Sequence, residues 1–238
     1  MSALVSLVIA ESALETIPRE VMNHHAIKNH AQRLGKEPKE ILLDRSYHHT
    51  AIIQSKLESG WKRGRPDIIH FALMEALSTP LFLKCMLKVY VHTVNDKVIF
   101  VGDNLRIPKS FFRFEGLMIK LFRDKIIKID EDNNVLLELQ ENITFERLIK
   151  GIVRPNKLIG LSSVGLKSTA EKVVSKNVRK NDNHHHCAFV IGGFPKGHFS
   201  DSTSKLFNCS YSIGEIRLET HTVIARILYE CEKVLNIY

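Results

Sequence analysis

At 238 residues the chain is long enough for one large α/β unit or two small ones. Its 44% hydrophobic and 25% charged residues exclude a disordered, collagenous or coiled-coil chain, and no apolar run approaches the roughly 20 residues of a membrane-crossing helix. Thirty-four Lys and Arg against 26 Asp and Glu leave a net charge of +8, which favours a polyanionic partner such as nucleic acid. The opening MSALVSLVIAESALE has no cation ahead of its apolar run and no small-residue cleavage site, so a cytoplasmic protein without a membrane anchor is expected.

Residues 4–10 form an apolar run suited to a buried strand, and a helix is expected between Pro18 and Gly35. EILLD at 40–44 repeats the strand signal. Ala51, Ile52 and Ile53 then fall where a helix would face a sheet, so a second strand–helix unit is expected to copy the first. GWKRGRPD at 60–67 is a basic loop leading into a helical pattern at Ile68, Ile69, Ala72, Leu73, Ala76 and Leu77. Alternation at 87–93, turn residues Asn95 and Asp96, and the run 98–101 predict a hairpin. Phe111, Phe114, Leu117, Met118, Leu121 and Phe122 share one helical stripe. After the acidic turn DEDNN come an apolar stretch at 136–139 and a short helix at 144–150. A strand is expected at 157–163, followed by a polar helix and a mobile charged connection at 176–183. Strands at 187–191 and 206–213 precede a last helix, with Val223, Ile224, Ile227, Leu228, Cys231, Val234 and Leu235 on one face. This alternation predicts an α/β fold with a mainly parallel sheet covered on both sides by helices. Cys85, Cys187, Cys209 and Cys231 form no CxxC pair and read as reduced, buried thiols.

Three groups of residues are candidates for chemistry. Gly192, Gly193, Phe194, Pro195, Lys196 and Gly197 leave a buried strand at its carboxyl end, where open α/β sheets bind ligands and where glycine lets backbone approach a ligand closely. The spacing is neither GxGxxG nor GxxxxGK[ST], so it indicates no dinucleotide or nucleoside triphosphate, and a tight turn without a ligand is an equal alternative. Arg65 and Asp67, with Lys62 and Arg63 nearby, form the second group, Asp67 also fitting a surface pair or a helix N-cap. Arg106, Lys109 and Arg113 would share a helical face if that helix began near Pro108, giving a row of cations suited to phosphates or simply a solvated face. The histidines at 24–25, 48–49 and 184–186 have no zinc-like partners, so no metal site is expected.

Five blocks carry a family resemblance: LLDRSYHH (42–49), RGRPDIIH (63–70), VYVHT (89–93), RIPKSFFRFEGLM (106–118) and VIGGFPKGHFS (190–200). In this order they resemble the pseudouridine N1-methyltransferases of ribosome biogenesis, within the SPOUT superfamily, and the short chain is similar to the archaeal members. The resemblance implies a single SPOUT domain over 1–238, with an inserted hairpin and basic helix at about 84–125 and a C-terminal trefoil knot that builds an S-adenosyl-L-methionine pocket. It also implies a homodimer with the knot at the subunit contact. By position the cofactor residues would be Leu161, Gly192, Gly197, Ile213, Gly214, Glu215, Ile216, Arg217 and Leu218. The RNA contacts would be Arg65, Asp67, Arg106, Lys109 and Arg113. Lys109 stands where many members have a second arginine, keeping the charge without the planar fork.

The reaction so implied is methylation at N1 of a pseudouridine in small-subunit ribosomal RNA. Positioning would dominate, with Asp67 as the group that accepts or orients the N1 proton. Ribosome assembly proteins are further candidate partners. The rival expectation is an RNA-binding assembly factor with little or no methylation, using the same basic face.

Overall fold

The apolar run near the N-terminus becomes strand β1 (Val5–Ser12), buried along its whole length. It is covered on both faces: Val5, Leu7 and Ile9 enter one core, while Val8 and Ala10 enter another. The computed structural model describes residues 5–55, 57–103, 105–129, 134–179 and 186–237. Within these, the other strands are β2 (Leu87–Thr93), β3 (Val98–Val101), β4 (Ile126–Lys128), β5 (Val135–Gln140), β6 (Lys157–Lys167), β7 (Cys187–Gly192) and β8 (Cys209–Ser212). The described α-helices are α1 (His25–Leu34), α2 (Arg45–Gln54), α3 (Pro66–Leu77), α4 (Pro80–Leu83), α5 (Phe111–Asp124), α6 (Phe145–Arg147), continued by a π-helix at Leu148–Val153, α7 (Ala170–Asn177), α8 (Asp201–Ser204) and α9 (Thr220–Leu235).

These strands form one sheet in the order β4-β5-β3-β2-β1-β7-β6-β8. The five from β2 to β8 in that order run parallel, and β3, β5 and β4 continue the sheet antiparallel. Helices α3, α5, α7 and α9 pack the larger core on one face, and Phe145, Leu148, Ile149 and Val153 cover the other. Each large side chain buried there contributes about 1.5–3 kcal/mol. Because parallel strands end on a common edge, the segments leaving β1, β6, β7 and β8 meet at one place.

The structure corrects several expectations. EILLD forms no strand, since Leu42 makes only an isolated bridge to Thr16. Ile41 and Leu43 instead enter a third, separate core with Ile27 and Ala31 of α1 and Ala51 and Ile52 of α2, and Ile53 is exposed. Thus α1 and α2 pack on each other rather than copying a strand–helix unit. Helix α5 starts at Phe111 behind the N-cap residue Ser110, so Arg106 and Lys109 precede it and share no helical face with Arg113. Cys187 and Cys231 are buried, with burial pushing the Cys187 thiol up to about 12, but Cys85 is exposed. The expected connection at 176–183 falls partly on residues outside those described, as do most of DEDNN and His184 and His185.

Helix α2 also carries a buried imidazole. His48 Nδ1 accepts the Asp44 N–H at 3.0 Å, which leaves its Nε2–H to donate to His30 Nδ1 at 2.8 Å. Burial, with His30 adding to it, lowers the His48 pKa from 6.5 to about 4. The folded state therefore keeps His48 neutral where the unfolded chain would protonate it. The stability this group contributes is complete above pH 6.5 and is lost as pH falls toward 4, amounting to about 2 kcal/mol at pH 5. Urea unfolding between pH 8 and pH 5 should register this loss, and His48→Gln should flatten the profile.

Candidate functional site

Strands β6, β7 and β8 each contribute rim residues for a local reason. In β6, Leu161 and Leu166 both register against Tyr211, so residues 162–165 bulge out and put Ser162 and Ser163 at the sheet edge. Gly165 permits this because a Cβ there would lie 2.6 Å from the Tyr211 backbone nitrogen. Strand β7 ends at Gly192 and turns at once: Gly193 donates to Ala10 O at 2.9 Å, and Ala13 donates back to Gly193 O at 2.8 Å. Gly197 completes the turn at φ +89°, a conformation that favours glycine. After β8, the loop 213–218 folds back, and Arg217 Nη2 donates to Pro195 O at 2.9 Å. Thr220, opening α9, donates its hydroxyl to Gly192 O at 2.9 Å.

Between these segments lies a pocket. Leu161, Gly192, Gly197, Ile213, Gly214, Ile216, Arg217 and Leu218 line it, as do Ser162, Ser163, Phe194, His198, Phe199, Tyr211, Ser212 and Thr220. Glu215 belongs to the same loop but is not among the lining residues, and among the described residues no carboxylate faces the pocket. Aliphatic and aromatic walls interspersed with hydroxyls, His198 and Arg217 suit a ligand that has a flat ring system and polar ends. Tyr211 and Ser212 were findable from their place at the carboxyl end of β8. Ser162 and Ser163 close the strand expected at 157–163, but the bulge that brings them to the rim was not findable, because a bulge has no sequence period. The glycines act differently from the expectation: a Cβ on Gly192 would lie 2.8 Å from the Phe194 ring, and one on Gly193 would lie 2.8 Å from Ile69. The space beside them is filled by protein.

A second cleft adjoins the first, lined by Arg65, Ile68, Phe194, Pro195, Arg217, Leu218, Glu219 and Thr220. Phe194, Arg217, Leu218 and Thr220 belong to both. Arg65 is the N-cap residue of α3, and Pro66 at the first helical position sacrifices no hydrogen bond. Asp67 is therefore inside the first turn and not the N-cap. Its two carboxylate oxygens receive Arg65 Nε at 2.8 Å and Nη2 at 2.7 Å, and this bond holds the guanidinium pKa above its ordinary value.

The other cations divide. Lys62 and Arg63 are buried and paired with Glu11 and Glu15, and so are unavailable to an outside ligand. Arg106, Lys109 and Arg113 are exposed and line neither cleft. Their segment is fastened to α3 by buried His70, whose Nε2 donates to Pro108 O at 2.7 Å. Among the described residues no group of three His, Cys, Asp or Glu could hold a metal, and no helix is long and apolar enough to cross a membrane.

Residues 7–232 match the family model described as EMG1/NEP1 methyltransferase. The ribosomal RNA small subunit methyltransferase Nep1 of Staphylothermus marinus is 36% identical over 237 residues, covering 100% of this chain and 99% of that one. The protein of the same name from Saccharolobus solfataricus is 37% identical, with 98% of each chain covered. Among solved structures, Archaeoglobus fulgidus Nep1 bound to S-adenosylhomocysteine aligns with a TM-score of 0.81 at 33% identity, covering 98% of this chain and 99% of that one.

Proposed function

Because this chain belongs to the EMG1/NEP1 methyltransferase family, we propose that it transfers a methyl group from S-adenosyl-L-methionine to small-subunit ribosomal RNA, at N1 of a pseudouridine. Methylation of small-subunit ribosomal RNA is what its relatives are named for, and a solved relative binds S-adenosylhomocysteine. The observation that carries the reading is the continuity of the two clefts. The pocket at the carboxyl ends of β6, β7 and β8 shares Phe194, Arg217, Leu218 and Thr220 with the cleft that contains Arg65.

The donor would lie against Leu161, Ile213, Gly214, Ile216 and Leu218, with Gly192 and Gly197 shaping the turn beside it. Bound S-adenosyl-L-methionine supplies a sulfonium methyl that is already electrophilic, so the protein's tasks are alignment and removal of the N1 proton. A pseudouridine must leave its stack to enter the second cleft, where Arg65 and Arg217 supply cationic donors. Asp67 fixes the Arg65 fork, and the carboxylate lone pairs left over can accept or orient the N1 proton. Arg106, Lys109 and Arg113 hold flanking phosphates, Lys109 as a point charge. The same reading takes the enzyme as a cytoplasmic homodimer with a trefoil knot, working beside ribosome assembly proteins. The passage of the chain from β7 past β6 to β8 is compatible with such a knot.

Mass spectrometry of a small-subunit hairpin, incubated with protein and donor, should find one added methyl on the pseudouridine form and none on its uridine counterpart. Hairpin binding with no methyl gained would favour a purely assembly role. Single-turnover methylation by Asp67→Asn should slow at least about tenfold with donor affinity intact, and an undiminished rate would remove Asp67 from the chemistry. With Lys62 and Arg63 sequestered and Arg65 at the base, three cations remain for phosphates, so log K for RNA against log salt should slope at about −2 to −3. A flat response would exclude the basic face.

A further inference from the structure

Resting on the pocket's reading as a donor site, we propose that the buried ion pair of Glu11 and Lys62 is a positioning device that sets the shape of that pocket. Neither residue lines it. Glu11, next to last in β1, adopts a left-handed conformation, φ 51°, where the ladder to β2 shifts register between Ile9 and Ser12. Its carboxylate receives Lys62 Nζ through one oxygen. Through the other it accepts the Ser200 N–H at 2.9 Å and the Ser200 hydroxyl at 2.7 Å. Ser200 ends the turn that Gly193 begins, and Gly193 is itself pinned to Ala10 and Ala13. Both ends of the turn are thus fastened to the last residues of β1.

Lys62 acts on the middle of the turn. Its ammonium lies 4.5 Å from the centroid of the Phe194 ring, a cation–π contact in a setting with little water. Phe194 lines both clefts and meets Phe199, a further pocket residue, edge to face at 5.7 Å. The neighbouring pair provides an internal control. Arg63 is as deeply buried and holds Glu15 through two nitrogens, but its other contacts are Glu58 and Asn95, none of them in the turn. A purely structural role would make loss of either cation equivalent, whereas a positioning role singles out Lys62.

Isothermal titration with S-adenosylhomocysteine and with the RNA hairpin, beside thermal unfolding, separates the two. Lys62→Met should weaken S-adenosylhomocysteine binding about tenfold, while hairpin affinity, carried mainly by Arg106, Lys109 and Arg113 outside both clefts, falls less. Lys62→Arg, which can also pair with Glu11 and stack on Phe194, should restore most of it. Arg63→Met should lower the unfolding temperature while the folded protein binds S-adenosylhomocysteine within about twofold of wild type. Wild-type affinity in folded Lys62→Met, or an equal loss in Arg63→Met, would overturn the inference. If Lys62→Met does not fold, Ser200→Ala carries the test: about threefold weaker binding by the folded protein, whose unfolding temperature drops modestly because Ser200 also caps α8, supports it, and unchanged binding overturns it. Failure of the wild type to bind S-adenosylhomocysteine would refute the donor-pocket reading itself, and this inference with it.

Discussion

Two buried carboxylates at the end of β1 organise the functional edge of this molecule. The strand is hydrogen-bonded on both sides, to β2 and β7, and covered on both faces, so the chain leaves it under cover. Glu11, next to last in the strand, and Glu15, just beyond it, have side chains only 9% and 5% exposed. A charge so placed must be paired. Lys62 and Arg63 supply the partners, which draws the loop before α3 against the sheet edge. Two of that loop's three cations are consumed in this way. The third, Arg65, donates its backbone N–H to Ala13 O at 3.3 Å and is left at the mouth of the second cleft, half-exposed and held by Asp67.

Charges in this position are a poor way to gain stability, because a well-packed apolar replacement of a buried ion pair is often neutral or better. Their value here is register. Burial alone would push the Glu11 carboxyl up, but hydrogen bonds from Lys62 and Ser200 hold it below the ordinary carboxylate value. Glu15 likewise serves Arg63 and the Asn95 amide, 2.6 Å away. Each acid therefore joins two segments distant in sequence, and an apolar substitute would leave the Ser200 N–H without its acceptor. The pairs fix how the loop before α3, the hairpin turn and the glycine-rich turn sit relative to one another.

The frame was legible in the sequence wherever one physical signal acted alone. Strands β1 and β7 are continuous apolar runs because both faces are buried, and α9 shows its stripe because only one is. EILLD misled because Ile41 and Leu43 are buried as a strand's would be, but in the separate core of α1 and α2. The basic loop misled in the opposite direction. Positive residues in a glycine-rich segment suggest solvent and ligand, and nothing local reveals that Glu11 and Glu15, some fifty residues earlier, claim Lys62 and Arg63. In the pocket, residues at strand ends and in the glycine-rich turn could be found, whereas the bulge that presents Ser162 and Ser163 and the orientation of the Phe194 ring are decided only by tertiary contacts. The family resemblance supplied a chemistry that periodicity could not.

The boundary between the clefts determines what chemistry they can share. Transfer of a methyl group requires donor carbon and acceptor nitrogen to come within about 3–3.5 Å, so no full layer of protein can separate them. Here the partition consists of Phe194, Arg217, Leu218 and Thr220, with no intervening strand and only the first residue of α9. Its two loops are joined where Arg217 donates to Pro195 O. A displacement of Phe194 therefore alters both compartments at once. Since Lys62 lies over one face of that ring and Glu11 holds Lys62, the partition is tied to the carboxyl end of β1.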